Sequence, residues 1–83
     1  MSNPTQIQER VLKILESYTR KDDVLAKAMP ETSILIDLKV NSARFVDLVL
    51  DVEDEFEIEI KDSETNLINT IGELIELIEK KLG

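Results

Sequence analysis

The chain has 83 residues, with 18 acidic and 10 basic side chains for a formal net charge of −8, and it contains no cysteine, histidine or tryptophan. Without histidine or cysteine it lacks the residues for a Ser-His-Asp or Cys-His catalytic pair, a zinc site of nitrogen and sulfur ligands, an iron–sulfur cluster or a disulfide framework, so self-contained catalysis is not expected. The acidic charge disfavours DNA or RNA, which require a positive surface, and favours a basic protein as partner.

The first predicted helix covers roughly residues 4 to 19. Asn3 followed by Pro4 is typical of a helix N-cap and first helical position. Apolar side chains then recur at three- and four-residue spacing, which is the period of an amphipathic helix; they are Ile7, Val11, Ile14, Leu15 and Tyr18.

The helical pattern weakens between Arg20 and Val40. A short helical turn is predicted here, and Pro30 ends it; its apolar residues are Val24, Leu25, Ala28 and Met29. An apolar stretch follows, with Ile34, Leu35, Ile36 and Leu38. We interpret the segment as a long loop anchored by its aliphatic side chains. Loops of this length are uncommon in compact domains, so this one is either a packed connector or part of the functional surface.

The second predicted helix begins at Asn41 or Ser42, either of which can cap the first free amides. It carries the clearest apolar stripe in the chain, formed by Phe45, Leu48, Val49, Val52 and Phe56. The other side is acidic, with Asp47, Asp51, Asp54 and Glu55. Val46 and Leu50 lie off the stripe, so we expect them to be partly exposed.

Residues Phe56 to Ile60 alternate between apolar and acidic side chains, and we interpret them as an extended linker with Ile58 and Ile60 directed inward. Asp62 or Ser63 is predicted to cap a short helical turn that reaches Leu67 and Ile68.

Thr70 and Glu73 have the spacing of a capping box at the start of the last helix. The predicted buried face of this helix consists of Leu74, Ile75, Leu77, Ile78 and Leu82. Lys80 and Lys81 fall in its last turn, where positive charge opposes the negative end of the helix dipole.

These elements predict an all-α fold in one domain, residues 1–83. The expected architecture is a small bundle of three long helices and one short helix, with a long loop between the first and second. The N-terminus lacks the charged start and apolar core of a secretory signal, and no 18 apolar residues run together. We therefore expect a cytoplasmic protein, with no stable membrane insertion, that is monomeric.

Ser42 lies where an apolar loop meets the N-terminus of an acidic helix. The preceding segment reads Asp37-Leu38-Lys39-Val40-Asn41-Ser42-Ala43, and it is followed by Val46-Asp47-Leu48, Glu53-Asp54-Glu55-Phe56, Ile60 and the run from Ile68 to Ile75. Over nearly its full length the chain resembles the acyl carrier proteins. In that family the loop ends in Asp-Leu-Gly-x-Asp-Ser-Leu, its serine carries phosphopantetheine, and the second helix ends in an acidic run closed by Phe.

The resemblance implies that Ser42 carries a phosphopantetheine arm whose thiol holds an acyl group as a thioester. Ser42 would be the substrate of a separate phosphopantetheinyl transferase, and the chain itself would not be an enzyme. Further partners would be an acyl- or aminoacyl-loading ligase and acyl-processing enzymes with basic docking surfaces. The residues expected at these interfaces are Asn41, Ala43, Val46, Asp47, Leu50, Asp51 and Asp54.

The chain departs from the family pattern around the serine. Lys39, Asn41 and Ala43 replace the usual Gly, Asp and Leu, and Arg44 places a positive charge at the start of a normally acidic helix. These departures imply a specialised carrier, in a lipid or secondary-metabolite pathway. Two alternatives are an aminoacyl carrier that uses the same arm, and an unmodified acidic adaptor or inhibitor of a basic protein.

Overall fold

The computed structural model describes residues 4–19 and 29–83. These residues form four helices, which are α1 (Pro4–Glu16), α2 (Ser42–Phe56), α3 (Asp62–Thr65) and α4 (Ile71–Leu82). They contain no β-strand, only an isolated antiparallel bridge between Ser33 and Thr70. The predicted all-α fold with three long helices and one short helix is confirmed. No helix within the described ranges is both long and apolar enough to cross a membrane.

Helix α1 is shorter than the sequence predicts, because its last turn tightens after Glu16. The Ser17 N–H donates to the Ile14 carbonyl at 3.1 Å, and the Tyr18 N–H donates to Leu15 at 2.9 Å. These two bonds span three residues, and the Leu15 carbonyl also accepts from the Thr19 N–H at 3.0 Å across four, so the regular helix ends in a tightened turn of mixed hydrogen bonds. The expected Asn3 cap and the apolar residues of the predicted short turn, Val24, Leu25 and Ala28, lie outside the described residues.

The core is almost entirely aliphatic and draws on every long helix. Helix α1 packs against both α2 and α4. All five residues of the predicted α2 stripe are buried, which confirms that prediction. The remaining buried side chains are Ile7, Val11, Leu15, Ile34, Leu38, Val40, Ile60, Ile68, Ile71, Leu74 and Ile78.

The loop before α2 is joined to the start of α4 by backbone hydrogen bonds. Ile71 N–H donates to the Thr32 carbonyl at 3.0 Å, and Gly72 N–H donates to the Pro30 carbonyl at 2.8 Å. In the opposite direction, Ile34 N–H donates to Asn69 at 3.0 Å. The first amides of a helix have no partner within it, so the loop supplies the acceptors that α4 lacks.

The capping box predicted at Thr70 and Glu73 is present. The Thr70 hydroxyl accepts from the Glu73 N–H at 3.1 Å, and the Glu73 carboxylate accepts from the Thr70 N–H at 2.9 Å. Ile71, Leu74 and Ile78 are buried below it. Ile75 and Leu77 are only partly buried, and Leu82 was wrongly assigned to the buried face because it ends the helix one turn beyond Ile78 and remains exposed.

The predicted cap of the short helix is wrong. Lys61 occupies the N-cap position of α3, and neither Asp62 nor Ser63 does so. Glu64 provides the missing acceptor, because its carboxylate receives the Lys61 N–H at 3.0 Å. It also pairs with Lys81 at 2.9 Å, and the two contacts lower the pKa of Glu64.

The linker predicted from Phe56 to Ile60 is shorter in the structure, because Phe56 is the last residue of α2 and the non-helical segment follows Glu57. Glu57 adopts the left-handed conformation at the end of α2, with φ of 54°. Ile60 is then buried, and its N–H donates to the Glu53 carboxylate at 2.8 Å. Ile58 is half-buried against the same core.

Gly72→Ala tests the close approach of the loop to α4. A Cβ atom at this position would lie 2.8 Å from the Pro30 carbonyl oxygen and 3.1 Å from the Pro30 Cβ. Because backbone must move to relieve these contacts, we expect the substitution to lower the free energy of unfolding by about 1–3 kcal/mol, despite the better helix propensity of alanine. Urea denaturation would measure this. Exposed Glu76→Ala in the same helix should change it by less than about 0.5 kcal/mol, and equal effects of the two substitutions would contradict the packing.

Candidate functional site

Asn41, and not Ser42, caps helix α2. Asn41 has extended backbone, and its side-chain oxygen accepts from the Arg44 N–H at 2.8 Å. Ser42 is the first helical residue and is exposed to solvent. Among the described residues no hydrogen bond engages the Ser42 hydroxyl. From the sequence, either Asn41 or Ser42 could be the N-cap. In the structure Asn41 is the cap, which leaves the Ser42 hydroxyl without a hydrogen bond to the described residues.

The loop that leads to Ser42 is held by its own polar groups. The Asp37 carboxylate accepts from the Ser33 N–H at 2.8 Å, and the Ser33 hydroxyl accepts from the Ile36 N–H at 3.1 Å. The Ser33 carbonyl in turn accepts from the backbone N–H of Asp37 and of Leu38, at 3.0 and 3.1 Å. Ser42 therefore follows a loop with fixed geometry.

Only part of the predicted apolar stretch anchors this loop. Ile34, Leu38 and Val40 are buried, whereas Leu35 and Ile36 are exposed. The apolar content of this stretch shows no period, so the sequence alone could not separate the two groups. The turn that begins at Ser33 decides which side chains face the core.

Lys39 has a left-handed backbone conformation, with φ of 57°. For a residue with a side chain this conformation costs about 1–2 kcal/mol, and glycine avoids that cost. The position is one at which the family resemblance leads us to expect glycine. The chain therefore places an exposed lysine, three residues before Ser42, on backbone that favours glycine.

The exposed face of α2 brings together most of the predicted docking residues. Val46 is 55% exposed and Leu50 is 57% exposed, as the sequence suggested. Because residues three and four apart share a helix face, Ala43, Asp47 and Asp54 lie on this same side, opposite the buried stripe. The result is an apolar pair flanked by two carboxylates, starting one residue after Ser42.

Asp51 is set apart from that face by a contact that sequence reasoning missed. The Tyr18 hydroxyl donates to the Asp51 carboxylate, and the Arg44 guanidinium lies over the Tyr18 ring, 4.7 Å from its centroid. The hydrogen bond to Asp51 raises the pKa of Tyr18 to about 12, with burial and the Asp51 charge adding to the effect. Of the predicted docking acids, Asp51 is thus the one that also joins the end of α1 to α2.

A second unpredicted contact joins α1 to the other end of α2. The Arg10 guanidinium donates to the Glu55 carboxylate at 2.8 Å and to the Glu55 carbonyl at 2.7 Å. It also lies over the Phe56 ring, 4.3 Å from the centroid. No local sequence pattern predicts a pairing between residues so far apart in the chain. Together the two contacts fix both ends of α2 against α1.

Comparison with known proteins identifies a shared pattern across most of the chain. The family model described as "Phosphopantetheine attachment site" matches residues 9–78. The chain is 32% identical to an acyl carrier protein of Thermotoga maritima, with complete coverage of both sequences. It is 37% identical over 75 residues to an acyl carrier protein of Buchnera aphidicola, covering 90% of this chain and 91% of that one.

Among solved structures, the fold is similar to that of an acyl carrier protein from Enterococcus faecalis. The TM-score is 0.81 at 25% sequence identity, and the match covers 96% of this chain and 99% of the other. The sequence and structural similarities thus extend over nearly the same part of the chain.

The Tyr18–Asp51 contact predicts a measurable titration. Asp51→Asn should lower the pKa of Tyr18 from about 12 toward the ordinary value of 10.0, since a neutral amide does not oppose formation of the phenolate. Absorbance of the phenolate would show this directly, because Tyr18 is the only tyrosine and tryptophan is absent. Asp54→Asn is the matched control and should leave the titration unchanged.

The hydrogen bond between Tyr18 and Asp51 also determines how the free energy of unfolding changes with pH. A pKa that is raised on folding favours the folded state below the ordinary value of 10.0, and this contribution is lost as the pH rises toward 12. Wild-type protein should therefore lose stability relative to Asp51→Asn across that interval in urea denaturation. If the free energy of unfolding changed with pH in the same way in both proteins, the contact between Tyr18 and Asp51 would be contradicted.

Proposed function

The chain belongs to the acyl carrier protein family, whose members bear a phosphopantetheine arm and are carriers and not enzymes, and we propose that Ser42 is the residue that bears the arm in this protein. The observation that carries the proposal is the exposed Ser42 hydroxyl at the first position of a rigid helix, left free because Asn41 provides the cap. Ser42 also falls within the matched residues 9–78.

The chemistry of the chain is consistent with an added prosthetic group. It has no cysteine, so a thioester requires a thiol from elsewhere, and phosphopantetheine supplies one when attached. In the attachment step, the Ser42 oxygen attacks the phosphorus of coenzyme A that bears the pantetheine. An oxygen–phosphorus bond forms, the bond to the adenosine 3′,5′-bisphosphate leaving group breaks, and the hydroxyl proton passes to a base of the transferase.

The cargo we propose is an acyl group, delivered to partner enzymes in a specialised lipid or secondary-metabolite pathway. The acyl carrier relatives support the cargo, and the departures at Lys39, Asn41, Ala43 and Arg44 support the specialisation. The proposed carrier is a monomeric single domain, residues 1–83, in the cytoplasm. Its partners by family are a phosphopantetheinyl transferase and acyl-processing enzymes.

We assign docking of these enzymes to the exposed face of α2. Val46 and Leu50 would make the short-range apolar contact, and Asp47 and Asp54 would attract a basic partner surface. Asn41 and Ala43 border the serine on either side. Asp51 would contribute charge while it also accepts the hydrogen bond from Tyr18.

Ser42→Ala tests the attachment site. Unmodified wild-type protein incubated with coenzyme A, magnesium and a broad-specificity phosphopantetheinyl transferase should gain one phosphopantetheine group in its intact mass. Ser42→Ala should gain nothing, because it lacks the attacking hydroxyl, and its urea denaturation should match that of the wild type. Ser63→Ala, another exposed serine at a helix start, should be modified like the wild type.

If the wild type is not modified, either the chain needs a dedicated transferase or Ser42 is not an attachment site. A further variant distinguishes the two explanations. Asn41→Asp combined with Ala43→Leu restores the family residues on both sides of the serine. Modification of this double variant alone would mean that the natural chain needs a dedicated transferase. If neither protein is modified, the attachment proposal is wrong and the unmodified adaptor becomes the better interpretation.

Charge reversal on α2 tests the docking face. Asp47→Lys and Asp54→Lys should each lower kcat/KM of the transferase for the unmodified protein by about tenfold at low salt, because they reverse the charge that attracts a basic partner. The difference should shrink as added salt screens it. Glu76→Lys makes the same charge change on an exposed position of α4, so an equal loss for this variant would mean that only net charge matters.

A further inference from the structure

A concavity with a volume of about 540 Å³ lies between the end of α1 and the start of α2. Asn41, which directly precedes Ser42, is part of its wall. The other lining residues are Ser17, Tyr18, Thr19, Lys39 and Arg44. We call this concavity the Lys39–Arg44 pocket.

The Lys39–Arg44 pocket is cationic in a strongly acidic chain. Among residues 4–19 and 29–83, two basic side chains and no carboxylate line it, while the chain has a net charge of −8. The neighbouring groove between the same two helices has the opposite character, since four carboxylates and two basic residues line it. An anion in this pocket would therefore meet two cations directly, while Asp51 lies one hydrogen bond away at the Tyr18 hydroxyl.

The two cations differ in how they are held. Tyr18 lies beneath the Arg44 guanidinium, and the Ser17 carbonyl accepts a long hydrogen bond from it at 3.5 Å. Lys39 forms no ion pair within the described part of the chain. The pocket thus offers one positioned guanidinium, which suits phosphate oxygens, and one flexible ammonium group.

Uncharged groups in the pocket add donors. The Thr19 hydroxyl oxygen is buried and has no hydrogen-bond partner in the described part of the chain. Asn41 uses its side-chain oxygen as the helix cap, which leaves its amide N–H groups as donors. The N-terminus of α2, which is the positive end of its dipole, also lies at the pocket, because its N-cap Asn41 is part of the wall. This donor set fits a tetrahedral oxyanion better than a carbon chain.

We propose that the Lys39–Arg44 pocket binds a phosphate group next to Ser42. The proposal rests on the assignment of Ser42 as the attachment residue, since attachment would place a phosphodiester on the residue that directly follows Asn41 of the pocket wall. Two sources share the chemistry: the phosphodiester of the attached arm, and the phosphates of coenzyme A before transfer. In either case the cations offset negative charge that the acidic chain would otherwise repel.

Ser42→Ala protein allows the pocket to be tested without any attachment. Sodium pyrophosphate and coenzyme A are titrated separately into ¹⁵N-labelled protein at constant ionic strength, and the amide signals of Lys39, Asn41 and Arg44 are followed. We expect saturable shifts at these positions. Lys39→Gln and Arg44→Gln should each weaken the apparent Kd by about two- to fivefold, the range of exposed charge pairs.

Two further variants make this titration specific. Lys80→Gln removes an exposed cation of α4 outside the pocket and should bind like the parent. Arg44→Lys keeps the charge and should retain most of the binding even if loss of the Tyr18 contact lowers stability. Equal weakening by Lys39→Gln and Lys80→Gln, or no saturable shift with either probe, would overturn the proposal.

The modified protein identifies the source of the phosphate. If the attached phosphodiester occupies the pocket, its ³¹P chemical shift should move in Lys39→Gln and on addition of 0.5 M sodium chloride, and should stay constant in Lys80→Gln. An unchanged ³¹P shift combined with coenzyme A binding assigns the pocket to the incoming substrate. If the wild type cannot be modified at Ser42, only the attachment proposal is refuted. The phosphate site is tested separately, because the pyrophosphate titration uses unmodified Ser42→Ala.

Discussion

The structure depends on a reciprocal tie between the loop before α2 and the first turn of α4. The carbonyls of Pro30 and Thr32 accept from the first amides of α4, and Asn69 accepts from the loop at Ile34. Neither partner would be satisfied alone, because the helix start lacks acceptors and the loop has no regular structure of its own. Burial of Ile34 and Leu38 adds apolar contacts to the tie. Through it, a helix distant in sequence fixes the approach to Ser42.

The charged residues at the two ends of α2 do not complement the helix dipole. A helix favours acids in its first turn and bases in its last, yet α2 has neither, and its first turn contains Arg44. Contacts with the α1 side compensate for this order. Tyr18 contacts Arg44 in the first turn of α2 and donates to Asp51, and Arg10 pairs with Glu55 near the other end. The order of charges on α2 is therefore balanced by tertiary contacts with α1 and not by the helix's own dipole.

The sequence predicted what local periodicity and capping chemistry determine. The buried stripe of α2 and the Thr70–Glu73 box were both confirmed, because each depends on residues within a few positions of one another. The cap of α3 was not predicted, since Glu64 accepts the Lys61 amide and replaces an ordinary cap. The Tyr18–Asp51 contact and the Lys39–Arg44 pocket were also missed. Both depend on how α1 meets α2, which no spacing within either helix encodes.

Lys39 connects the backbone of the loop to the charge beside Ser42. Its left-handed conformation would cost glycine little and costs a lysine about 1–2 kcal/mol, so the residue is not explained by the fold. The ammonium group is also not used in an internal ion pair within the described residues. The side chain does provide a second cation, with Arg44, in the lining of the Lys39–Arg44 pocket. The phosphate binding that we propose for this pocket would give the lysine a function that the fold does not supply.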